Sequence, residues 1–413
     1  MRRPIVIVVL VLIPVGLAHA QIPPAERAAL IALYNSTDGT NWTNNSGWLG
    51  APGTECTWYG VTCHLNRVFY LQLSNGLSGT IPPELASLSN MIILDLSGNQ
   101  LNGTIPPELG GLSSIQYLYL GGNELSGSIP PELGNLSTCG YLSLHSNQLS
   151  GNIPPELGDL PVLAYLLLNA NRLSGEIPNE LENLTTLVTA GLDIAWNALY
   201  TDDASLDAFI ESKHAGFITW TDTQTVAPMN PTVDSLGDHT VWLSWDAVST
   251  PSEASGYELF FAPAGSGVWT SAGWTESKWT TTFPATGLDP GVSYDFAVVT
   301  YTDPHLYNLN LVTSDFSTEV MATTASSGCP EPVIRMAGAG PYTLSLAGSF
   351  DSYEWSTGET TSSILVDPPP DEWFWVKVAV GGCEETAAIL VDPEIFTDGF
   401  ETGDTTVWSS EVL

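Results

Sequence analysis

Ile115-Gln116-Tyr117-Leu118-Tyr119-Leu120-Gly121-Gly122-Asn123-Glu124-Leu125-Ser126-Gly127-Ser128-Ile129-Pro130-Pro131-Glu132-Leu133-Gly134-Asn135-Leu136 is one copy of a pattern that returns every 24 residues. Ile-Pro marks the period, at Ile81-Pro82, Ile105-Pro106, Ile129-Pro130, Ile153-Pro154 and Ile177-Pro178. Self-similarity at a short fixed period builds a solenoid, because one unit alone cannot bury its apolar face. Leucines at alternating positions make a short strand with one buried side, and the other apolar residues fill the coil. One asparagine per turn, Asn99, Asn123, Asn147 and Asn171, stands where an amide can bond backbone groups that the bend leaves unpaired. The second half of the unit opens on Pro82, Pro106, Pro130 and Pro154, each followed by Pro-Glu-Leu. Proline suits a first helical turn because it lacks the donor that would go unsatisfied there. Glu84, Glu108, Glu132, Glu156 and Glu180 then face the positive end of that turn.

Leu163 to Pro178 matches Leu-x-x-Leu-x-Leu-x-x-Asn-x-Leu-x-Gly-x-Ile-Pro almost letter for letter, and on these residues the chain resembles the plant-type leucine-rich repeat. The resemblance implies a leucine-rich-repeat solenoid over residues 66–200, with a parallel β-sheet on one side and short helical or 3-10 segments on the convex side. Residues 21–65 resemble the N-terminal cap of that family, through Ala29 to Tyr34, Asp38 to Thr43 and Cys56 to Cys63. A cap is needed because the first coil would otherwise expose its apolar interior. The first unit is one residue short between Leu73 and Leu77, and the unit Leu187 to Leu199 gains two residues and loses Ile-Pro. Asp202 to Ile218 reads as a closing amphipathic helix and strand, with Leu206, Phe209 and Ile210 on the apolar side, inside a C-terminal cap at 201–225.

From Val226 the period disappears and strand-like alternation rich in Trp, Thr and Tyr takes over. Val241 to Trp245, Gly256 to Phe261 and Tyr294 to Val298 resemble strands of a fibronectin type III sandwich at 226–325, and Leu288-Asp289-Pro290 with Tyr294 resembles its tyrosine corner. No Arg-Gly-Asp stands in this segment, so integrin binding does not carry over. Residues 328–392 look like a small immunoglobulin-like repeat of bacterial exported proteins. Ile395 to Trp408, inside a tail at 393–413, is similar to short tails on such proteins, as a sorting or attachment segment or a plain frayed end. The expected fold class is therefore multidomain: the solenoid, then all-β sandwich domains.

Arg2 and Arg3, the apolar run Ile5 to Leu17 and Ala18-His19-Ala20 read as a secretory signal peptide at 1–20, with an uncleaved anchor as the alternative. The expected location is therefore secreted or cell-surface, with no transmembrane segment in the mature chain. Nine basic residues face 45 acidic ones, a net charge of −36. Past the leader the seven remaining basic residues, Arg27, Arg67, Arg172, Lys213, Lys278, Arg335 and Lys377, are scattered one by one, so no patch exists to neutralise phosphates and nucleic acid is not an expected partner. Five cysteines in an exported chain give two bridges and one thiol: Cys56 and Cys63 are near neighbours, Cys329 and Cys383 bracket the last β segment, and Cys139 stands at a core position of its repeat. No metal cluster and no cofactor are expected.

The chain holds no Gly-x-Ser-x-Gly, His-Glu-x-x-His or Gly-x-x-x-x-Gly-Lys, so no catalytic residue is assigned. Recognition is the expected activity. Strand residues pointing away from the leucines gather on the concave sheet: Tyr70, Ile93, Tyr117, Tyr141 and Tyr165 in one column, Gln72, Asp95, Tyr119, Ser143 and Leu167 in the next, then positions that include His145 and Asn169. The tyrosines are expected to form a continuous ladder. Tyrosine is large, stiff and amphipathic and serves protein hot spots or sugar stacking, although stacked rings also stabilise a sheet by themselves. The expected ligand is an extracellular protein, peptide or glycan. Competing expectations are a secreted carbohydrate-active enzyme with an unrecognised carboxylate site, and a purely structural cell-envelope protein.

Overall fold

The alternating leucines form three-residue strands, Ile93–Asp95, Tyr117–Tyr119, Tyr141–Ser143 and Tyr165–Leu167, which pair in parallel between Arg67–Gln72 and the short Leu192–Asp193. In the register Leu71, Leu94, Leu118, Leu142, Leu166 and Leu192 are neighbours, and all six are fully buried. Each contributes about 1.5–3 kcal/mol by leaving water. Val61–His64 joins antiparallel to Arg67–Gln72 and is the first edge strand of the sheet.

This is a computed structural model, and it describes residues 21–215, 219–248, 255–275, 277–305, 308–326, 328–337, 341–366 and 372–391. The leader expected at 1–20 and the tail expected at 393–413 lie outside the described residues, as does the end of the strand expected up to Ile218. The chain divides into two compact units, one running to Leu168 with Pro178–Asp193, the other comprising Asn169–Ile177 and the residues from Ile194 onward.

In the first unit each Pro-Glu-Leu segment is one turn of 3-10 helix, at Pro83–Ser87, Pro107–Gly111, Pro131–Asn135 and Pro155–Asp159, and Asn179–Asn183 follows the same course. Each buries one leucine, from Leu85 to Leu181. Successive turns pack so closely that a Cβ on Gly134 would lie 2.3 Å from the carbonyl oxygen of Glu156, which is why a glycine stands there. Between strand and turn the asparagines bind the backbone. Asn147 is 2% exposed; its Oδ1 accepts the Leu125 N–H at 3.0 Å and its Nδ2 donates to the carbonyls of Leu120, Leu144 and His145 at 3.1, 3.0 and 3.2 Å. Asn75 extends the series upstream, taking Asn99 Oδ1 on its own N–H at 3.0 Å and donating to the Asn44 carbonyl in the cap. The cap is helix α1 (Pro24–Ser36) with the packed rings of Tyr34, Trp42, Trp48 and Trp58, tied by the ion pairs Arg27 to Glu55 and Arg67 to Glu26 and by the Cys56–Cys63 bridge.

In the second unit Arg172–Glu176 pairs in parallel with Ala198–Tyr200, and Asn197 Oδ1 accepts the Leu173 N–H. One coil later Gln224 does the asparagine's work, accepting the Leu199 N–H at 3.1 Å and donating to the Ile194 carbonyl at 3.0 Å. Helix α2 (Ala204–Lys213) starts on Asp203, whose carboxylate accepts the N–H groups of Ser205 and Leu206, and buries Leu206 and Ile210. Phe209 is only half-buried.

Two antiparallel sheets follow. One joins Thr232–Leu236, Val241–Ser244 and Thr282–Ala285; the other joins Thr270–Thr275, Ser255–Pro263 and Ser293–Thr302, with Val312–Thr313 and Val320–Thr323 both on the last. Trp245, Tyr257, Phe283 and Phe296 fill the space between them, and the Tyr294 hydroxyl accepts the Asp289 N–H at 3.0 Å. Ile334–Ala337, Tyr342–Leu346 and Ser363–Val366 form one smaller antiparallel sheet and Ser352–Trp355, Glu372–Val380 and Cys383–Val391 another, around Leu344, Trp355, Phe374 and Val376 and stapled by Cys329–Cys383. Buried Glu385 seats this module on its neighbour by accepting the N–H groups of Asp238 and His239 at 2.6 and 3.2 Å. Among the described residues no helix is long and apolar enough to cross a membrane.

Candidate tyrosine face of the repeat sheet

Strand pairing puts Tyr117 opposite Tyr141 and Tyr141 opposite Tyr165, because each occupies the same place in a 24-residue unit. The ring contacts run across the strands as well as along one column. Tyr117 stacks on Tyr119 of its own strand at 6.2 Å, Tyr119 crosses to Tyr141 at 5.0 Å, and Tyr141 stacks on Tyr165 at 4.8 Å. The result is a continuous chain of four rings. Tyr117 and Tyr165, at 39% and 37% exposure, offer the most open surface, while Tyr119 and Tyr141 are half-buried. Burial, and next the neighbouring phenols, raise the Tyr119 and Tyr141 hydroxyls above the usual tyrosine range, so both stay protonated and can donate.

Tyr70 stands apart from this chain. Ile93 lies between it and Tyr117 in the register, and the Tyr70 ring packs on Phe69 at 4.9 Å instead. Gln72 on the same strand is exposed. Ser143 departs from its expected role as a contact residue: it is 3% exposed, a small side chain set between Tyr119 and Leu167 in the register. Asp95 is half-buried, and its Oδ1 is occupied by the Ser97 N–H and hydroxyl at 3.1 and 2.6 Å. His145 lies over Gly121, where a Cβ would come within 2.6 Å of the imidazole Nε2. Burial lowers the His145 pKa, partly offset by Asp193, so the ring is neutral at pH 7. Asn169 is half-buried and belongs to the other compact unit.

The sequence reading missed the residues just before each strand. Gln116, Gly140 and Ala164, with Thr138, join Tyr117, Tyr141 and Tyr165 around a depression of about 210 Å³. Its signal in the sequence is a break in a column: the place that holds Gln116 in one repeat and Ala164 in another holds Gly140 between them. A Cβ there would meet nothing closer than the Val162 carbonyl at 3.7 Å, so the glycine leaves open space rather than serving the backbone.

Cys139 lies beneath this region, fully buried and free, its thiol pushed up to about 12 by burial. Among the described residues one group has side chains close enough to hold a cation: Asp238, Cys329 and Glu385. Cys329 is bridged to Cys383, Asp238 accepts the N–H groups of Gly328 and Cys329, and Glu385 those of Asp238 and His239, so backbone donors occupy these oxygens.

The chain carries leucine-rich repeats followed by a fibronectin type III-like domain. The family described as Leucine rich repeat matches residues 66–125, 140–160 and 163–184, and the Fibronectin type III domain matches residues 226–306. Among known proteins, the leucine-rich repeat receptor protein kinase EMS1 of Arabidopsis thaliana is 42% identical over 78 residues, a match spanning 18% of this chain and 6% of the kinase. Solved structures similar in part include a plant ice-binding protein, at 30% identity over 43% of this chain and 58% of that one with a TM-score of 0.39. The BIR2 ectodomain of Arabidopsis thaliana is similar at 38% identity over 38% of this chain and 84% of that one, with a TM-score of 0.35.

Proposed function

We propose that this chain is a non-enzymatic recognition protein, secreted or held at the cell surface, that binds an extracellular protein, peptide or glycan on the tyrosine face of its repeat sheet. The observation that carries this reading is the chain of four tyrosine rings lying on one side of a sheet whose other side is committed to buried leucines. Two of the rings expose more than a third of their surface although the interior of the coil is filled. Rigid amphipathic rings of this kind supply contact area at low entropic cost. Similarity to the repeats of a receptor protein kinase, over 78 residues, supports a binding role.

The β modules act as spacer and adhesion units. Residues 328–392 are read as a small immunoglobulin-like unit, and the tail at 393–413 as either a sorting or attachment segment or an ordinary final strand or frayed end. No nucleic-acid partner fits a net charge of −36. Screening the full chain against secreted-protein and glycan libraries beside a hydrolase panel tests the reading. Turnover that disappears on replacing a single carboxylate would overturn it.

A further inference from the structure

The depression beside Gly140 has walls of a particular kind. Tyr117, Tyr141 and Tyr165 line it together with Gln116, Thr138, Gly140 and Ala164, residues at or just before the strand starts. Backbone groups there are already used: the Gly140 N–H donates to the Gln116 carbonyl at 2.9 Å, and the Ala164 and Tyr165 N–H groups donate to the Gly140 carbonyl at 2.8 and 3.1 Å. Thr138 donates its hydroxyl to the Ile115 carbonyl at 2.7 Å. What remains for a ligand is ring surface, phenol oxygens and the Gln116 amide. A sugar presents hydroxyls all round its ring and needs more donors and acceptors than this.

Charge points to the occupant. Among the described residues of this unit the lysines and arginines are Arg27 and Arg67, and both are paired with carboxylates, of Glu55 and Glu26. Against them stand Asp95, Asp193 and the repeated glutamates, so the unit carries a strong excess of negative charge. A volume of about 210 Å³ takes one side chain. A guanidinium is planar, weakly hydrated, stacks on aromatic faces and donates to oxygens at its rim. We infer that this depression is an arginine subsite for a basic peptide segment of a partner protein, a reading that rests on the tyrosine face being the binding surface.

The test uses the full chain and capped, otherwise neutral peptides carrying one central arginine, citrulline, lysine or tryptophan, with a neutral oligosaccharide beside them, in a saturation-transfer NMR titration at low ionic strength. The arginine peptide binds, and its isosteric citrulline counterpart binds at least about fivefold more weakly because the cation–π attraction is lost. Gly140→Gln, which gives this repeat the residue that its predecessor carries, fills the depression while every tyrosine is kept and weakens arginine binding by about tenfold or more, with unchanged circular dichroism and melting temperature. Equal binding of citrulline, or preference for tryptophan or the oligosaccharide, would overturn the arginine assignment. So would full binding by the Gly140→Gln protein. If these peptides fail while a partner from the library screen is lost on replacing the tyrosines, the subsite falls and the tyrosine face stands. If the partner is retained, the face falls with it.

Discussion

Replacing Asn147 by alanine removes the acceptor of the Leu125 N–H and the donor to three carbonyls in a place that is 2% exposed. An unsatisfied buried donor costs about 1–3 kcal/mol, and a carbonyl, with its second lone pair, sits at the low end of that range. Together they give a loss of about 4 kcal/mol, large against the stability of a natural domain. Asn99 makes an equivalent set of bonds, accepting from Asn75 and Leu77 and donating to Leu73, Leu96 and Ser97, but it is half-buried and water can replace part of what is lost. The Asn99→Ala protein therefore loses about half as much. Asn147→Asp keeps the acceptor but sets a carboxylate against three carbonyl oxygens, so it destabilises as well. Urea unfolding of the full chain, followed by circular dichroism, reads all three. A cost for Asn147→Ala below about 0.5 kcal/mol, or no greater than that for Asn99→Ala, would refute the view that the buried amides hold the coils together.

Cys139 should resist alkylation in the folded protein at pH 8, because burial holds its thiol at about 12 and leaves almost no thiolate. The same shift makes a signed pH prediction. The folded thiol keeps its proton above the ordinary value of 9.0, so its contribution to stability is complete below pH 9 and is lost as pH rises toward 12; Cys139→Ala removes this part of the slope in alkaline urea titrations, while the raised Tyr119 and Tyr141 hydroxyls keep theirs. Glu385→Ala takes away the acceptor of the Asp238 and His239 N–H groups and should cost about 2–4 kcal/mol, read as faster proteolysis of the two β modules with no change in binding by the tyrosine face. Proteolysis at the wild-type rate would show that the two modules do not depend on this seat.

The repeat was legible because its signal is one-dimensional. Each leucine, asparagine and Pro-Glu-Leu segment returns at a fixed spacing, so one register assigns inside and outside to every copy. Position within the register says which side a residue faces, but not how far its side chain reaches. Tyr119, assigned to the next column, therefore links the rings of Tyr117 and Tyr141, and Ser143 disappears between larger neighbours. Gln224 escaped notice because it supplies the asparagine's chemistry from a different residue type after the period has broken. The depression at Gly140 escaped because it is made by a missing side chain, and the Glu385 seat because its partners are more than 140 positions away.

The most direct test replaces Tyr117, Tyr141 and Tyr165 together by alanine and measures, on the same preparation, binding to the partner found in the library screen and the melting temperature. Losing a hot-spot ring costs about 2 kcal/mol or more of binding, so the account predicts binding weakened by well over tenfold with little change in melting temperature. A variant that binds as the parent does but melts early would contradict it: the rings would then serve the packing of the sheet, and the ligand site would lie elsewhere on the chain.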